Sequence, residues 1–476
     1  MRVITLVLLI AWVVGTGLGI FGAAWLVVGL TILVSVAMVL AVRQPKPVLV
    51  AAAGLLFLGT LYGYSAIPAE HNCVPATPAV GTVLATRERA VDIQYTVRTD
   101  DGCTVLVTAA AFPAHQVGSR VTLVGGTVRS LAATRDFSPG YADYLIRQGI
   151  TSTWQYPSIT GNGGQPKSRT DLETVRGVIG TQVRSVFTEP DASIVSAMLL
   201  AQRGRIPADI VDQFRHTGVS HVLAISGLHI SLVAGMMLAV LVVLPVKPWT
   251  RAAILLVLLW SYVWLIGLPV SAVRAGWFLT IAVIGFRLHL LLSLPTILLL
   301  TVTGLVSFNP TVWQDVGFQL SVSAVLGIFL ALFASKPWRE AVSVLPQWLM
   351  SLVVVSVGAG LATAPLVAYH FAIVTPVSLI ANLLVVPIVP FVIAGSAIAL
   401  AVGLVAPGMS VLLAYPVHLL LSWAIWVTAQ LSNLPWAYRD ELIFSLPSVT
   451  IYYLVLVTLT LGLIGWQKQN WREMWQ

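Results

Sequence analysis

Charged residues are scarce in this chain: they make up 9% of its 476 residues, whereas hydrophobic residues make up 58%. Soluble domains carry about a quarter charged residues, so a water-soluble fold is excluded. The chain also lacks a Gly-x-x-x-x-Gly-Lys loop for nucleotide phosphates. Its eight histidines are scattered, and none are two residues apart. We therefore expect no bound metal, no cofactor and no catalytic activity in this polypeptide.

Apolar runs long enough to cross roughly 30 Å of hydrocarbon recur from end to end. Three open the chain, at residues 3–20, 22–41 and 47–66. Later runs lie near residues 220–246, 252–268, 273–289, 290–308, 314–334, 346–372, 374–404, 408–431 and 448–466. The sequence predicts an all-α polytopic membrane protein with about twelve transmembrane helices. Pro387 and Pro390 predict a broken or re-entrant helix in one of them.

Basic residues at the ends of these runs predict the orientation of the chain in the membrane. Arg2 precedes the first run, and Arg43 and Lys46 lie between the second and third. Because basic loops stay in the cytoplasm, the N-terminus is predicted to be cytoplasmic and residues 71–190 to lie outside. The same alternation places the basic C-terminal tail, residues 468–476, in the cytoplasm of this multi-pass cell-membrane protein.

The external segment changes to a β-like pattern. Five short runs follow one another, at Ala79–Thr86, Val91–Arg98, Cys103–Ala109, Arg120–Arg129 and Ser152–Tyr156. Five strands in under about 100 residues suit a small OB-like barrel, here residues 71–160, a fold often used for single-stranded nucleic acid. Its near-neutral charge is weak evidence for phosphate binding. Because the segment is predicted to be exported, we expect a disulfide between Cys73 and Cys103, with two free thiols as the alternative.

The stretch 167–218 is predicted to form amphipathic helices at the outer membrane surface. Thr170 and Glu173 make a capping pattern, and apolar residues at helical spacing follow up to Phe187. Basic residues decorate this stretch, namely Lys167, Arg169, Arg176, Arg184, Arg203 and Arg205. Anchoring to lipid headgroups is the favoured interpretation. A basic collar that guides a polyanion toward a pore is the other.

The segment His221–Ile230 reads HVLAISGLHI, and here the chain resembles the ComEC competence family. Further motifs accompany it in order, namely YLIRQGI at Tyr144–Ile150, LLAQRGRIP at Leu199–Pro207, and then LPVSAVRAG, VGFQLSVSAVLGI and ANLLVVP. The resemblance implies transport of single-stranded DNA across the cytoplasmic membrane during natural transformation. It also implies N-terminal transmembrane helices (1–66), an external OB-like domain and a competence-type transmembrane domain (219–467).

Full-length relatives usually continue into a metallo-β-lactamase-like domain, thought to degrade the strand that is not transported. This sequence carries no such motif, so we expect no nuclease activity in it. The implied partners are single-stranded DNA and membrane lipids. A DNA receptor, a separate nuclease, a cytoplasmic ATPase and a homo-oligomer are left open.

Polar residues within the apolar runs are candidates for the DNA path, because ionisable groups are costly there. Arg274 is one: it could meet a phosphate or form a structural pair with Asp315. Ser226 and His229 are three residues apart and could share a helical face. The remaining path candidates are Arg203, Arg205, His221, Gln319 and Asn382. For Gln319, Asn382 and His370, hydrogen bonds between helices explain the polarity at least as well.

Two other function classes fit parts of the pattern. A secondary transporter of a smaller anionic solute would also use broken helices and an arginine inside the membrane. The external barrel and the absence of a visible inverted repeat disfavour it. A nonconducting membrane scaffold would need neither Arg274 nor the basic collar.

Overall fold

The computed structural model describes residues 2–21, 46–65, 73–88, 92–110, 115, 117–131, 145–146, 149–161, 171–335, 346–440, 442 and 444–473. These residues are mostly helical, with a separate small β-sheet region. The predicted run 22–41 lies outside the described residues, as do Arg43, Lys167 and Arg169.

Most of the described helices overlap the predicted apolar runs. Two come before the sheet, α1 (Arg2–Phe21) and α2 (Lys46–Ser65). After it come α3 (Asp171–Val186), α4 (Asp191–Leu200), α5 (Ala208–His216), α6 (Gly227–Val243), α7 (Pro248–Leu265), α8 (Val270–Arg287), α9 (Leu294–Phe308), α10 (Val316–Ala334), α11 (Gln347–Phe371), α12 (Ser378–Val385), α13 (Val389–Gly403), α14 (Pro407–Ser432) and α15 (Leu446–Glu473).

Six helical stretches in the described part of the chain are long and apolar enough to cross a membrane. They are α7, α8, α10, α11, the stretch Ser378–Gly403 and α14. Ser378–Gly403 contains α12 and α13, joined by a 3₁₀ turn at Val386–Ile388. The break is the one predicted from Pro387, because proline removes a backbone donor from the helical ladder. These stretches make the chain a multi-pass membrane protein.

The chain divides into two compact units. The first gathers described residues of 1–70, 238–260 and 270–322, and the second gathers those of 71–237, 261–269 and 323–476. The core of the first unit contains Val13, Val306 and Phe318, all buried. Trp313 donates a hydrogen bond from Nε1 to Thr16 Oγ1 at 3.2 Å. Helices α1 and α9 and the start of α10 therefore share one core.

The second unit is built around a helical hairpin. Gly180 of α3 lies against Gln202, just beyond the end of α4, so the two helices are antiparallel. Their apolar side chains share a core with α13 and α14 and with the segment that precedes α6. We call α3, α4 and their connection the inserted hairpin.

The inserted hairpin lies in the stretch 167–218, which was predicted to form surface helices, and part of it is packed within protein. Every residue of α4 is buried, because its sequence is almost wholly apolar or small and offers no polar face to water. In α3 the predicted apolar residues Val183 and Val186 are buried in protein, whereas Val175 is exposed. Protein packing therefore covers much of what was assigned to the membrane surface.

The small β region forms a seven-stranded sheet. Its strands are β1 (Ala79–Glu88), β2 (Asp92–Thr99), β3 (Thr104–Ala110), β4 (Arg120–Val124), β5 (Thr127–Ser130), β6 (Ser152–Gln155) and β7 (Ser158–Gly161). Their order is β5-β6-β3-β2-β1-β4-β7. The pair β3 and β6 is parallel, and the others are antiparallel.

Two details of the sheet differ from the prediction. The predicted strand Arg120–Arg129 is divided at Gly125 and Gly126, which have φ of 68° and 73°. These left-handed conformations favour glycine and interrupt a strand. The short strand β7 was not predicted. A Cβ at Gly126 would meet the Gln155 carbonyl oxygen and Pro157, so the glycine also permits a close approach of β6.

The predicted disulfide between Cys73 and Cys103 is confirmed. Their Cα atoms are 5.5 Å apart, within the usual range for a disulfide. Cys103 is buried in the core of the sheet with Tyr95 and Trp154. The bridge ties the segment that precedes β1 to the start of β3.

Candidate functional site

The segment that carries the HVLAISGLHI motif is a turn followed by a helix. The predicted run 220–246 becomes helical only at Gly227. Gly218 has a φ of 75°, and a Cβ there would lie 2.6 Å from Thr375 Oγ1. The turn therefore needs glycine both for its backbone conformation and for its close approach to the segment before α12.

Buried apolar side chains hold this turn in place. Val219, Val222 and Leu223 are buried in the core shared with the inserted hairpin. His221, between them, is exposed. The turn is therefore held by its apolar side chains while this imidazole stays accessible to solvent.

Ser226 and His229 form a cap at the start of α6. The Ser226 carbonyl accepts a hydrogen bond from the Ile230 N–H at 3.2 Å, which makes Ser226 the N-cap residue. Its backbone N–H donates to His229 Nδ1 at 3.4 Å, and its Oγ lies 2.8 Å from the same nitrogen. A side chain at the third helical position that reaches back to the cap resembles a capping box. The predicted contact of the pair exists, and it caps the start of α6.

His229 lies near two of the basic candidates, Arg203 and His221. Its side chain is 1% exposed. Its Nε2 is buried without a hydrogen bond of normal geometry, and the backbone of Val222 is the polar group next to the ring. Both His221 and Arg203 are close enough to act electrostatically on His229. Arg203 and His221 thus lie within electrostatic reach of His229, which contacts Ser226, and we call these four residues the histidine cluster.

The loop after α4 presents the two arginines of the LLAQRGRIP motif. Ala201 ends the helix in a left-handed conformation with φ of 61°. Ile206 is buried, while Arg203 and Arg205 are exposed. The buried side chain of Ile206 holds the loop in place, and the guanidinium groups on either side of Gly204 stay near the surface.

Arg274 has a different environment, in the first compact unit. It is 8% exposed, and its NH1 atom lies 3.4 Å from Asp315 Oδ1. Asp315 Oδ1 also accepts a hydrogen bond of 2.6 Å from the Phe318 N–H at the start of α10. The guanidinium lies 5.9 Å from the centre of the Phe318 ring. This is the structural pair that the sequence left open as the alternative to a phosphate contact.

The other polar candidates are separated. Gln319, in the first unit, donates from Nε2 to the Trp313 carbonyl at 2.8 Å, so its hydrogen bond is local. Asn382 lies in α12, with a buried Oδ1 that has no hydrogen-bond partner in the described chain. His370 is buried beside the ring of Tyr369.

The proposed basic collar is only partly free to meet a polyanion. Arg176 donates from Nε to the Leu265 carbonyl at the C-terminal end of α7. That carbonyl has no partner within the helix, so a guanidinium there stabilises the helix end. Arg184 is exposed on α3. Among the described residues, no group of three or more His, Cys, Asp or Glu side chains could hold a metal ion.

Comparison with known proteins identifies the domain that contains the histidine cluster. The family model described as Competence protein matches residues 198–469, more than half of the chain. This chain belongs to the competence protein family. The match confirms the ComEC resemblance drawn from the motif order, and it begins within α4, just before Arg203.

A curated relative of this competence protein is ComE operon protein 3 of Bacillus subtilis (strain 168). The two are 25% identical over 338 residues, which is 70% of this chain and 42% of the relative. The chain thus spans less than half the length of that relative. No solved structure matches the chain.

Proposed function

We propose that this competence-family protein carries single-stranded DNA across the cytoplasmic membrane during natural transformation. The observation that carries the proposal is the histidine cluster. Within the matched domain, an exposed arginine loop and a histidine turn both lie within electrostatic reach of one buried imidazole. A polyanion needs positive charge at the entrance of its path and polar groups further in.

The phosphates and bases of DNA explain the division of roles that we propose. Arg203 and Arg205 attract the phosphates, since guanidinium groups bind them through paired hydrogen bonds. His221, Ser226, His229 and Asn382 supply polar groups along the path. Arg274 and Gln319 hold helix ends in place. Neither catalysis nor a bound metal is part of this proposal.

The membrane arrangement that we propose has about twelve spans, with both termini in the cytoplasm. Contacts of the second unit support it. Strand β8 (Ile373–Val374) pairs with β9 (Arg439–Asp440), and Arg215 of α5 lies 3.8 Å from Asp440. These segments share one side of the membrane, so the chain must cross an even number of times between them. Between Arg215 and β8, helices α6 to α11 make six crossings. Between β8 and β9, Ser378–Gly403 and α14 make two.

The β region is proposed to be an OB-like barrel on the outer side. Its support is the strand order: β4 pairs with β1, β5 pairs with β6, and β4 continues into β5 through two glycines. The pairing therefore returns to β1 through five strands, as a barrel of this class requires. The Cys73–Cys103 disulfide supports an external location, since disulfides persist in oxidising compartments.

Proteoliposomes that contain the full chain would test the transport proposal. Fluorescent single-stranded DNA is added outside, and the fraction that becomes resistant to external nuclease is measured. We expect protection of single-stranded but not double-stranded DNA, and a loss of protection in the double variant Arg203→Gln, Arg205→Gln. The double variant Arg184→Gln, Lys247→Gln is the matched control, because both residues are exposed and it removes equal charge outside the loop after α4.

Protection by protein-free liposomes, or equal protection by all three proteins, would contradict the proposal. A flux of small anions without any entry of DNA would favour the secondary transporter instead. A separate ATPase, nuclease or DNA receptor is a proposed partner. Repeating the assay with an energised membrane, or with an added ATPase, tests whether DNA entry needs a source of energy.

A further inference from the structure

The turn of the inserted hairpin brings an acidic residue into the middle of the second unit. Asp191, the first residue of α4, is 3% exposed. Around it α4 packs against apolar side chains of α13 and α14, among them Val392 and Leu421. A carboxylate in such surroundings needs a compensating charge or a proton, because transfer of an unpaired ion from water is costly.

The compensating group comes from α14, 227 positions away in sequence. His418 Nδ1 lies 2.6 Å from Asp191 Oδ2, and the side chains are 50% and 4% exposed, respectively. A distance this short is typical of a charge-assisted hydrogen bond. The buried member of the pair is the acid, while the imidazole is the member that can exchange a proton with its surroundings.

His418 lies near the middle of α14, about 16 Å from its start and about 21 Å from its end at 1.5 Å per residue. Its side chain is half-exposed, whereas that of Asp191 is enclosed by protein. The imidazole is therefore the accessible member of the pair.

Other groups near the pair do not replace this interaction. Among the described residues, Glu189 in the connecting turn is the second charged group that acts on Asp191, and as a like charge it opposes ionisation. Its Oε2 accepts a hydrogen bond from the Ser193 N–H at 3.2 Å. Tyr415 lies beside the His418 ring, 6.3 Å between centres. An acid at the start of a helix is favourable by itself, but that does not require a histidine from α14.

We propose that Asp191 and His418 form a proton-binding site that latches the inserted hairpin onto α14. With His418 protonated, the ion pair holds the turn of the hairpin in place. Loss of that proton leaves a buried carboxylate without a full counter-charge, and the hairpin loosens. The proposal concerns the membrane domain itself and does not depend on what the protein transports.

A single introduced thiol would report on the latch in native membranes of the full-length protein. Ser193 is 3% exposed on α4, and the two native cysteines are already paired. The rate at which a membrane-permeant maleimide labels Ser193→Cys is measured at about pH 6 and about pH 8, across the range in which imidazoles titrate. Each rate is divided by that of the denatured protein at the same pH.

We expect slow labelling at the lower pH and labelling at least roughly tenfold faster at the higher pH, because an uncompensated buried charge is strongly destabilising. His418→Asn should label fast at both pH values. His418→Lys should label slowly at both, since an ammonium keeps its charge throughout. The control His289→Asn, at an exposed histidine between α8 and α9, should behave as the parent.

Labelling that does not change with pH in the parent would overturn the proposal. So would a pH response that survives in His418→Asn, or fast labelling of His418→Lys in membranes where its protein level matches the parent. If His418→Asn fails to accumulate, the comparison of the parent with His418→Lys still decides, because both keep a cation at the lower pH and differ only at the higher.

Discussion

Two arginine sites in this protein differ in what surrounds the guanidinium group. Arg274 is almost fully buried, and Asp315 and Phe318 contact it. Arg203 is exposed in a loop, and a buried histidine lies within electrostatic reach of it. Both arginines were candidates for DNA contact, Arg274 because it lies within an apolar run and Arg203 because it belongs to the basic stretch 167–218. Only Arg203 keeps its guanidinium near the surface.

The difference shows that a rare charge in a membrane protein has two explanations, which burial and partners distinguish. A buried cation with its own carboxylate is neutralised by the protein. An exposed cation remains accessible to a ligand. Removing the first should lower stability, and removing the second should lower binding.

The largest loss of stability is expected for Cys73→Ser. The disulfide closes a loop with a sequence separation of 30, which corresponds to about 3–4 kcal/mol in the chain-entropy model. Protease resistance of the β region should fall in the variant, and reductant should have the same effect on the parent. An unchanged resistance would show that the bridge does not stabilise this region.

Arg274→Met should lower the stability of the first unit by about 2–3 kcal/mol. This is below the full cost of breaking a buried pair, because Asp315 is partly exposed and keeps its bond from Phe318. The thermal midpoint of the detergent-solubilised protein measures the change. The double variant Arg274→Met, Asp315→Asn should recover most of the loss, and equal losses in the single and double variants would break the assignment of Arg274 as a structural residue.

Ser226→Ala should cost about 1 kcal/mol, the usual effect of removing an N-cap residue. Ser226→Thr keeps a hydroxyl that can donate to His229 Nδ1 and should retain the stability of the parent. The same thermal midpoint serves as the measurement. If Ser226→Ala reduces DNA transport while its midpoint is unchanged, Ser226 belongs to the path and its role in the cap is secondary.

Arg203→Gln with Arg205→Gln should change stability least, within about 0.5 kcal/mol, as surface substitutions usually do. Binding of a single-stranded oligonucleotide to the purified protein should weaken. Its dependence on salt should become shallower by roughly 0.7 in logarithmic slope for each lost phosphate contact. Binding and slope equal to those of the parent would remove both arginines from the path.

The sequence predicted the helices well because crossing a membrane requires long apolar runs. α8, for example, begins and ends within a few residues of the predicted 273–289. The strands were also predicted, apart from the break at Gly125 and Gly126, where two positive φ angles interrupt a pattern that is otherwise continuous. Local periodicity contains the information for these elements.

Partners distant in sequence could not be predicted in the same way. Asp191 begins an apolar segment, and a lone acid there is a signal, but nothing in the local sequence indicates that His418 is its partner. The segment before Gly227 resembled a helix because it is apolar, whereas tertiary packing of Val219 and Val222 holds it as a turn. The grouping of Arg203 with His229 likewise depends on the fold.

The most direct test of the account is a transformation assay of two neutralised variants in one competent strain at matched protein levels. One carries Arg203→Gln and Arg205→Gln, and the other carries Arg274→Met and Asp315→Asn. We predict that the first lowers delivery of DNA to the cytosol by roughly tenfold or more, about 1.4 kcal/mol of lost phosphate interaction, while the second stays near the parent. Normal delivery with the first variant and failure with the second would contradict the account.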